Sequence, residues 1–259
     1  MFIDQQNIPS AKRYSSIISL VPSQTELLYD LGLQDEVIGI TKFCVHPLKW
    51  FKNKTRIGGT KKLNIDKIKS LHPDLIIANK EENVKEQVEE LAVHHDVLVT
   101  DVNNLGDALS MIKAFGELTG KTAKAFSLSE EIKLKFQKLD DAISNKLKIK
   151  SAYLIWKDPY MAAGGNTFIN DMMHYCDLVN IFTNVDRYPQ INTEDLQACK
   201  LILLSSEPYS FKEKHVRQLQ QEIPGAKIIL ADGEMFSWYG SRLLLAADYF
   251  KEFRKEIEL

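Results

Sequence analysis

The amino-acid sequence predicts an α/β protein of two similar lobes, each built on a mostly parallel sheet and bridged by one long interlobe helix. Three observations carry that expectation. Short apolar runs alternate with helical patterns from residue 16 onward, as in successive βαβ units. The stretch from Lys121 to Leu147 holds no glycine or proline and repeats apolar residues at Ala125, Leu128, Ile132, Phe136, Leu139 and Ile143, three or four apart. The second half echoes the first, with Asn64-Ile-Asp66 before the run Asp74 to Ala78 matched by Asn192-Thr-Glu194 before Lys200 to Leu204. The lobes are expected at residues 1–120 and 150–259, with the bridging helix at 121–149.

Each element has a local reason. Ser16 to Val21 reads as a buried strand that ends at Pro22. Ser23 with Glu26 three residues on suggests a capping box, Leu27, Leu28 and Leu31 give the apolar stripe, and Gly32 supplies the stop. Val37 to Ile40 completes the first βαβ unit. From Lys42 to Thr60 the periodicity breaks, and Phe43, His46, Pro47, Trp50 and Phe51 mark a loop rich in aromatics. A helix over 64–71, a strand over 74–78, a helix over 84–92, a strand over 97–100 and a helix over 105–118 follow. Beyond the long helix, a second series opens with the strand Ala152 to Trp156, the loop 157–166 and a helix over 167–176.

Composition bounds the function. The 259 residues carry 33 Lys and Arg against 35 Asp and Glu, a formal net charge of -2, so no global positive field favours nucleic acid or an anionic membrane. Cys44, Cys176 and Cys199 are odd in number and widely spaced, fitting neither a zinc pattern nor a disulfide framework. The N-terminus carries an early acid, and the apolar run Ile17 to Val21 is far shorter than a signal-peptide core. No run approaches the ~20 apolar residues of a membrane-spanning helix. A soluble monomer is expected, cytosolic on the face of its sequence.

Ligands of open α/β sheets bind beyond the carboxyl ends of strands, which directs attention to the loops after Val21, Ile40, Ala78, Trp156, Leu204 and Ala231. Those loops supply Pro22, Phe43, His46, Trp156, Tyr188, Phe236, Trp238, Tyr239 and Arg242, among others. Such an aromatic set with few charges suits a cleft for a bulky, partly apolar ligand. Trp156, Tyr188, Trp238 and Tyr239 are expected to offer flat faces. Arg242 is expected to offer a positive fork for a ligand carboxylate or phosphate, or else to lie on the outer face of the C-terminal helix and pair with Asp248 or a neighbour. Enzyme motifs are missing: Gly164-Gly-Asn lacks the lysine and hydroxyl of a P-loop, and Ser205, Ser206 and Ser237 sit in no nucleophile elbow. No catalytic residue and no cofactor are assigned. Cys44 and His46 could together bind a metal or act as a nucleophile, yet alternate residues of an extended loop need not converge, so no metal site is assigned.

At Ile17-Ile-Ser-Leu-Val-Pro-Ser-Gln-Thr-Glu26 the sequence resembles the opening of the class III periplasmic binding proteins, the siderophore and vitamin B12 receptors of ABC importers. Similar to that family are also Val37 to Ile40 with its aromatic loop, Leu63-Asn-Ile-Asp66, the Leu-x-Pro-Asp-Leu-Ile core before Ala78, the long helix, and Gly165 followed by Asn180-Ile-Phe182. The resemblance implies two lobes bridged by a rigid helix, with a metal-containing organic ligand, a corrinoid or ferric siderophore, held between them. It implies Pro22, Phe43, Trp156, Tyr188 and Phe236 near the ligand, a membrane permease as partner, and a periplasmic or cell-surface location. It also implies that Asp66 and Glu194, one acid per lobe, meet arginines of that permease.

Two departures stand beside the resemblance. Thr60 occupies a position where the vitamin B12 receptors have an aromatic, and Asp232 to Arg242 is richer in rings and charge than a corrin requires. Larger than either is the absent export signal: either a start site or leader is missing from the sequence, or this branch works in the cytosol as a corrinoid- or chelate-handling enzyme or chaperone on the same fold.

Overall fold

The computed structural model describes residues 2–3, 13–143 and 148–257, so the expected end of the long helix at 144–147 lies outside the described residues. By contact the chain falls into two units: residues 1–102, 106–133 and 239–242 form the first, and residues 103–105, 134–238 and 243–259 form the second. The expected bridging segment is thus shared, with its residues up to Lys133 counted in the first unit and those from Leu134 in the second.

The first unit carries strands β1 (Phe2–Ile3), β2 (Ile17–Ser19), β3 (Val37–Ile40), β4 (Thr55–Arg56), β5 (Leu75–Asn79) and β6 (Asp96–Thr100). Its helices are α1 (Pro22–Leu31), α2 (Leu48–Asn53), α3 (Ile65–Ser70), α4 (Lys85–Ala92) and most of α5 (Leu105–Thr119), followed by the start of α6 (Thr122–Ile143). The strands form one parallel sheet in the order β1-β6-β5-β2-β3-β4. Strands covered on both faces are largely apolar, and β2 and β5 are buried at every residue, their polar end residues Ser19 and Asn79 being hydrogen-bonded. Ile18, Leu20, Ile57, Ile76, Val88 and Val97 belong to the core packed against this sheet.

The second unit carries β7 (Ile149–Trp156), β8 (Met161–Ala162), β9 (Leu178–Asn180), β10 (Leu201–Ser205) and β11 (Lys227–Ala231). Its helices are α7 (Phe168–His174), α8 (Glu213–Glu222), α9 (Gly233–Ser237) and α10 (Leu243–Glu256), with a 3-10 turn at Thr193–Leu196. The strand order is β11-β10-β7-β8, with β9 also on β7, and only the β7–β8 pairing is antiparallel. Leu154, Ile202, Leu204, Leu219 and Ile228 lie in its core.

Local differences have local causes. The capping box expected at Ser23 and Glu26 does not form: Val21 is the N-cap without a side-chain bond and Pro22 takes the first helical position. Proline is pre-set for that position, since its missing N–H would have no intrahelical partner there. The helix therefore starts two residues early and Glu26 is released for another contact. Gly32 does end α1, in the left-handed conformation at φ 89°, with its N–H on the carbonyl of Tyr29. The stretch read as a loop over 42–60 contains α2 and β4.

Candidate functional site

In the first unit the carboxyl ends of the strands are held by a buried polar network. Gln24 on α1 donates to Thr100 Oγ1, Asn79 Nδ2 donates to the Thr100 carbonyl at 3.0 Å, and Asn83 Nδ2 donates to the Thr60 carbonyl at 3.1 Å. These bonds fix the loops after β5 and β6 to the loop 58–62. Pro22 is half-buried at the head of α1, and the polypeptide after β3 leads to Phe43, 51% exposed. Lys42 Nζ stands 5.1 Å from the Phe43 ring centroid, which places a cation against an exposed ring.

Cys44, one residue further, points inward. It is fully buried, with Thr25 and Thr41 hydroxyls each 3.1 Å from Sγ, and burial pushes its thiol above the ordinary range. A buried thiol of raised pKa is a poor nucleophile and a poor metal ligand. His46 is half-buried on the same loop. Among the described residues no group of three or more His, Cys, Asp and Glu side chains could hold a metal ion.

Arg242 does not take either role expected of it. Its Nε and Nη2 bond Glu26 Oε2 and Oε1 at 2.8 and 2.6 Å, with the arginine side chain 8% exposed, while Asp248 pairs with Lys135 at 2.7 Å. A bidentate carboxylate satisfies the planar guanidinium fork that a ligand anion was expected to use. Tyr239, nearly buried beside it, belongs to the same short segment of the first unit.

In the second unit β7 ends at Trp156, 41% exposed and edge-on to Tyr209 at 5.6 Å between centroids. The next residue, Lys157, sets Nζ 5.6 Å from the Tyr160 ring and 3.1 Å from Asp158. Tyr188 is half-buried. After β10, Glu207 Oε1 accepts from Ser237 Oγ at 2.7 Å and from Trp238 Nε1 at 2.8 Å. Burial pushes the Glu207 carboxyl above its ordinary value against the pull of those two donors. Ser206, Glu207, Asp232 and Glu234 line a shallow hollow of about 550 Å³ at the ends of β10 and β11.

Two expected ring faces are spent on packing. Phe236 has no exposed surface: its ring lies 5.0 Å from Tyr153, 4.9 Å from Phe250 and 5.8 Å from Phe253, which removes it from any ligand surface. Trp238 is nearly buried with its indole N–H on Glu207. The residues that sequence reasoning passed over are Lys42 and Lys157, each adjacent in sequence to an exposed loop aromatic. Their signal was the Lys-Phe and Trp-Lys dipeptides at the carboxyl ends of strands.

Asp66 and Glu194 are both exposed in first turns. Asn64 caps α3 by accepting from the Lys67 N–H at 3.0 Å, and the Asn192 N–H donates to Asp195 Oδ2 at 2.8 Å at the head of the 3-10 turn. No described helix is long and apolar enough to cross a membrane.

Comparison with known proteins adds the following. A sequence model of the family described as periplasmic binding protein matches residues 17–208. An uncharacterized ABC transporter substrate-binding lipoprotein of Bacillus subtilis (strain 168) is 27% identical over 198 residues, 73% of this chain but 62% of its own length. A vitamin B12-binding protein of Yersinia pestis (strain Pestoides F) is 22% identical over 241 residues, covering 92% of this chain and 85% of its own. Among solved structures, the periplasmic vitamin B12 binding protein of Vibrio cholerae superposes with a TM-score of 0.81 at 20% identity, covering 95% of this chain and 98% of its own. A periplasmic heme-binding protein from Roseiflexus sp. RS-1 gives 0.79 at 19% identity, with 93% and 98% covered. The family and these relatives are substrate-binding proteins of transport rather than enzymes.

Proposed function

Because the chain belongs to the periplasmic binding protein family, we propose that it is the substrate-binding component of an ABC importer, capturing a metal-containing organic ligand outside the cytoplasmic membrane. The observation that carries this reading is the family match over residues 17–208, within which each unit by itself offers an exposed ring at the carboxyl end of a strand. Phe43 follows β3 in the first unit and Trp156 ends β7 in the second. Exposed rings on parallel strand ends are where flat ligands of α/β proteins are stacked.

Pro22, His46, Tyr188 and the lysines beside the two rings complete the proposed contacts, while Trp238, Tyr239 and Arg242 act from behind by fixing the loops. The metal belongs to the ligand as cargo, held in its own chelate, and the protein supplies apolar faces and cations for its periphery. A corrinoid and a ferric chelate are the two ligand classes in view. Thr60 is nearly buried and places no ring at its position, so the corrin reading has no help there. Asp66 and Glu194 are the proposed contacts with arginines of the permease, which makes the permease and the ligand the two partners. The relatives are periplasmic proteins or lipoproteins, which supports the same side of the membrane for this chain.

The test is titration of the purified protein with cyanocobalamin, hemin and a ferric hydroxamate, followed by tryptophan fluorescence and by calorimetry. Saturable binding of one of them at micromolar or lower concentration is expected. Absence of binding to all three would reject the metal-chelate reading.

A further inference from the structure

The net charge of -2 hides a strongly uneven distribution. Between Thr41 and Asn64 the chain carries seven Lys and Arg and no Asp or Glu, leaving 26 Lys and Arg against 35 Asp and Glu elsewhere. This segment is continuous in space as well as in sequence: it runs from the end of β3 through α2 into β4, which is the edge strand of the first unit's sheet, and the Lys42 N–H bonds the Gly58 carbonyl at 2.8 Å.

Its apolar residues are divided between inside and outside. On α2, Trp50 is buried against Tyr29, edge-on at 5.3 Å, and Phe51 is half-buried beneath Arg56, whose guanidinium lies 4.4 Å from its ring. Leu48 and Lys52, at i and i+4, lie on one face with Lys49 about 100° round from Leu48, and Trp50 points to the opposite side. Leu48 is 58% exposed, both lysines are exposed, and neither lysine forms an ion pair among the described residues. Val45 adds exposed apolar area on the preceding loop. A helix turn that buries its tryptophan and turns a leucine and two lysines outward has a surface that its own fold does not use.

We propose that the α2 edge of the first unit docks on a bilayer of anionic phospholipid. Charge complementarity selects this occupant: the two outward lysines of α2, with Leu48 on the same helix and Val45 on the preceding loop, match a charged headgroup layer over an apolar interior. Lysine stems lie along apolar surface while their ammonium groups reach phosphate, so Leu48 and Val45 enter the interface without stranding a charge. The inference stands apart from the ligand reading, because Leu48, Lys49 and Lys52 are outside the proposed ligand contacts and ligand titration is done without lipid.

Sedimentation of the purified protein with large vesicles of phosphatidylcholine alone, and of phosphatidylcholine with an equal part of phosphatidylglycerol, tests it. Binding to the mixed vesicles alone is expected, reversed by raising salt. Each cation near such a surface is worth about fivefold in partitioning, so Lys49→Gln with Lys52→Gln should weaken binding by about 25-fold. Leu48→Ser should weaken it while leaving the salt dependence intact. These positions are exposed, and unchanged thermal midpoints would show that the variants fold. Equal binding to both vesicle types, no binding to the mixed vesicles, or full binding by the double lysine variant would each overturn the proposal. So would retention of the protein on polyglutamate resin without any binding to the mixed vesicles, which would assign the surface to an acidic protein.

Discussion

Arg242 and Glu26 are joined by two hydrogen bonds of 2.8 and 2.6 Å across 216 residues of sequence, and both side chains are largely withdrawn from water. The pair pins the segment Tyr239–Arg242 onto α1. Gly240 lets the backbone come close: its φ is 122°, and a Cβ there would lie 3.3 Å from Leu27 Cβ. Breaking such a pair from one side leaves a buried charge without its partner, which costs more than the pair itself contributes. Arg242→Ala should therefore destabilise the protein by about 3 kcal/mol or more, with Glu26→Gln milder because the amide still accepts from the guanidinium. Urea unfolding of the two variants checks the order; equal and small losses would show that the pair is not structural.

Glu207 links stability to pH. Burial is the largest influence on its carboxyl and raises its pKa from 4.5 in the fold, so the folded chain holds this proton to higher pH than the unfolded chain does. A raised folded pKa means a contribution fully present below pH 4.5 and lost as pH rises through the folded value. Glu207→Gln keeps an oxygen to accept from Ser237 and Trp238 but cannot titrate. The difference in stability between wild type and this variant should thus move in favour of the variant as pH rises from 4 to 7. Thermal midpoints across that range measure it, and a constant difference would mean that Glu207 ionises as freely in the fold as outside it.

The rings divide into two kinds, and substitution should separate them. Phe43→Ala and Trp156→Ala remove exposed rings, so each should lower affinity for the metal chelate about tenfold or more, as loss of a stacking contact does, with the thermal midpoint nearly unchanged. Phe236→Ala opens a cavity among Tyr153, Phe250 and Phe253 and should cost about 3 to 5 kcal/mol of stability. Paired calorimetry and denaturation on the three variants decide the assignment. A Phe236 variant that folds normally and loses only affinity would reverse it.

What the sequence made legible was local. Buried parallel strands are continuous apolar runs, so Leu75–Asn79 and Leu201–Ser205 could be read within a residue of their ends, and Gly32 announced the end of α1. Strands of two or three residues such as Phe2–Ile3 and Met161–Ala162 exist through their neighbours and have no pattern of their own. The site was harder, because the fate of a ring depends on which distant residues arrive beside it. Phe236 sits in a loop-rich, aromatic stretch that reads as a ligand surface, yet Phe250 and Phe253 return on α10 to enclose it. From sequence Arg242 can be matched only with a ligand or with residues near it such as Asp248, because its partner Glu26 lies 216 residues away. Whole-chain net charge likewise averaged out the basic stretch over 41–64.

All three cysteines are buried and free, and burial raises each thiol, that of Cys199 to about 11. Reaction with a thiol reagent requires thiolate and access together. The native protein at pH 8 should release little colour from a disulfide reagent over minutes, and the chain in guanidinium should react at all three positions. Rapid labelling of Cys44 in the native protein would instead show that the loop around His46 opens.

Asp66 and Glu194 are exposed acids in corresponding first turns of the two units, which is the basis for assigning them to the permease. A helix dipole gives such acids about 0.3 to 1 kcal/mol without any partner, so their position alone has a sufficient local cause. What the dipole does not require is that the acid recur after an asparagine in both units, ahead of the buried strands β5 and β10. Charged contacts at the rim of an interface set orientation and association rate and weaken with salt. Charge reversal at an exposed first-turn acid loses the dipole contribution and replaces it with a repulsion of similar size, at most about 2 kcal/mol in all, so Asp66→Lys and Glu194→Lys should fold and bind ligand as wild type does. Each should sharply reduce stimulation of the cognate permease ATPase in liposomes, and raising the salt should reduce stimulation by the wild type as well. Stimulation undiminished in both variants would leave the dipole as the whole reason for these acids, and joint loss of ligand binding and stimulation would place their effect inside the fold instead of at the permease.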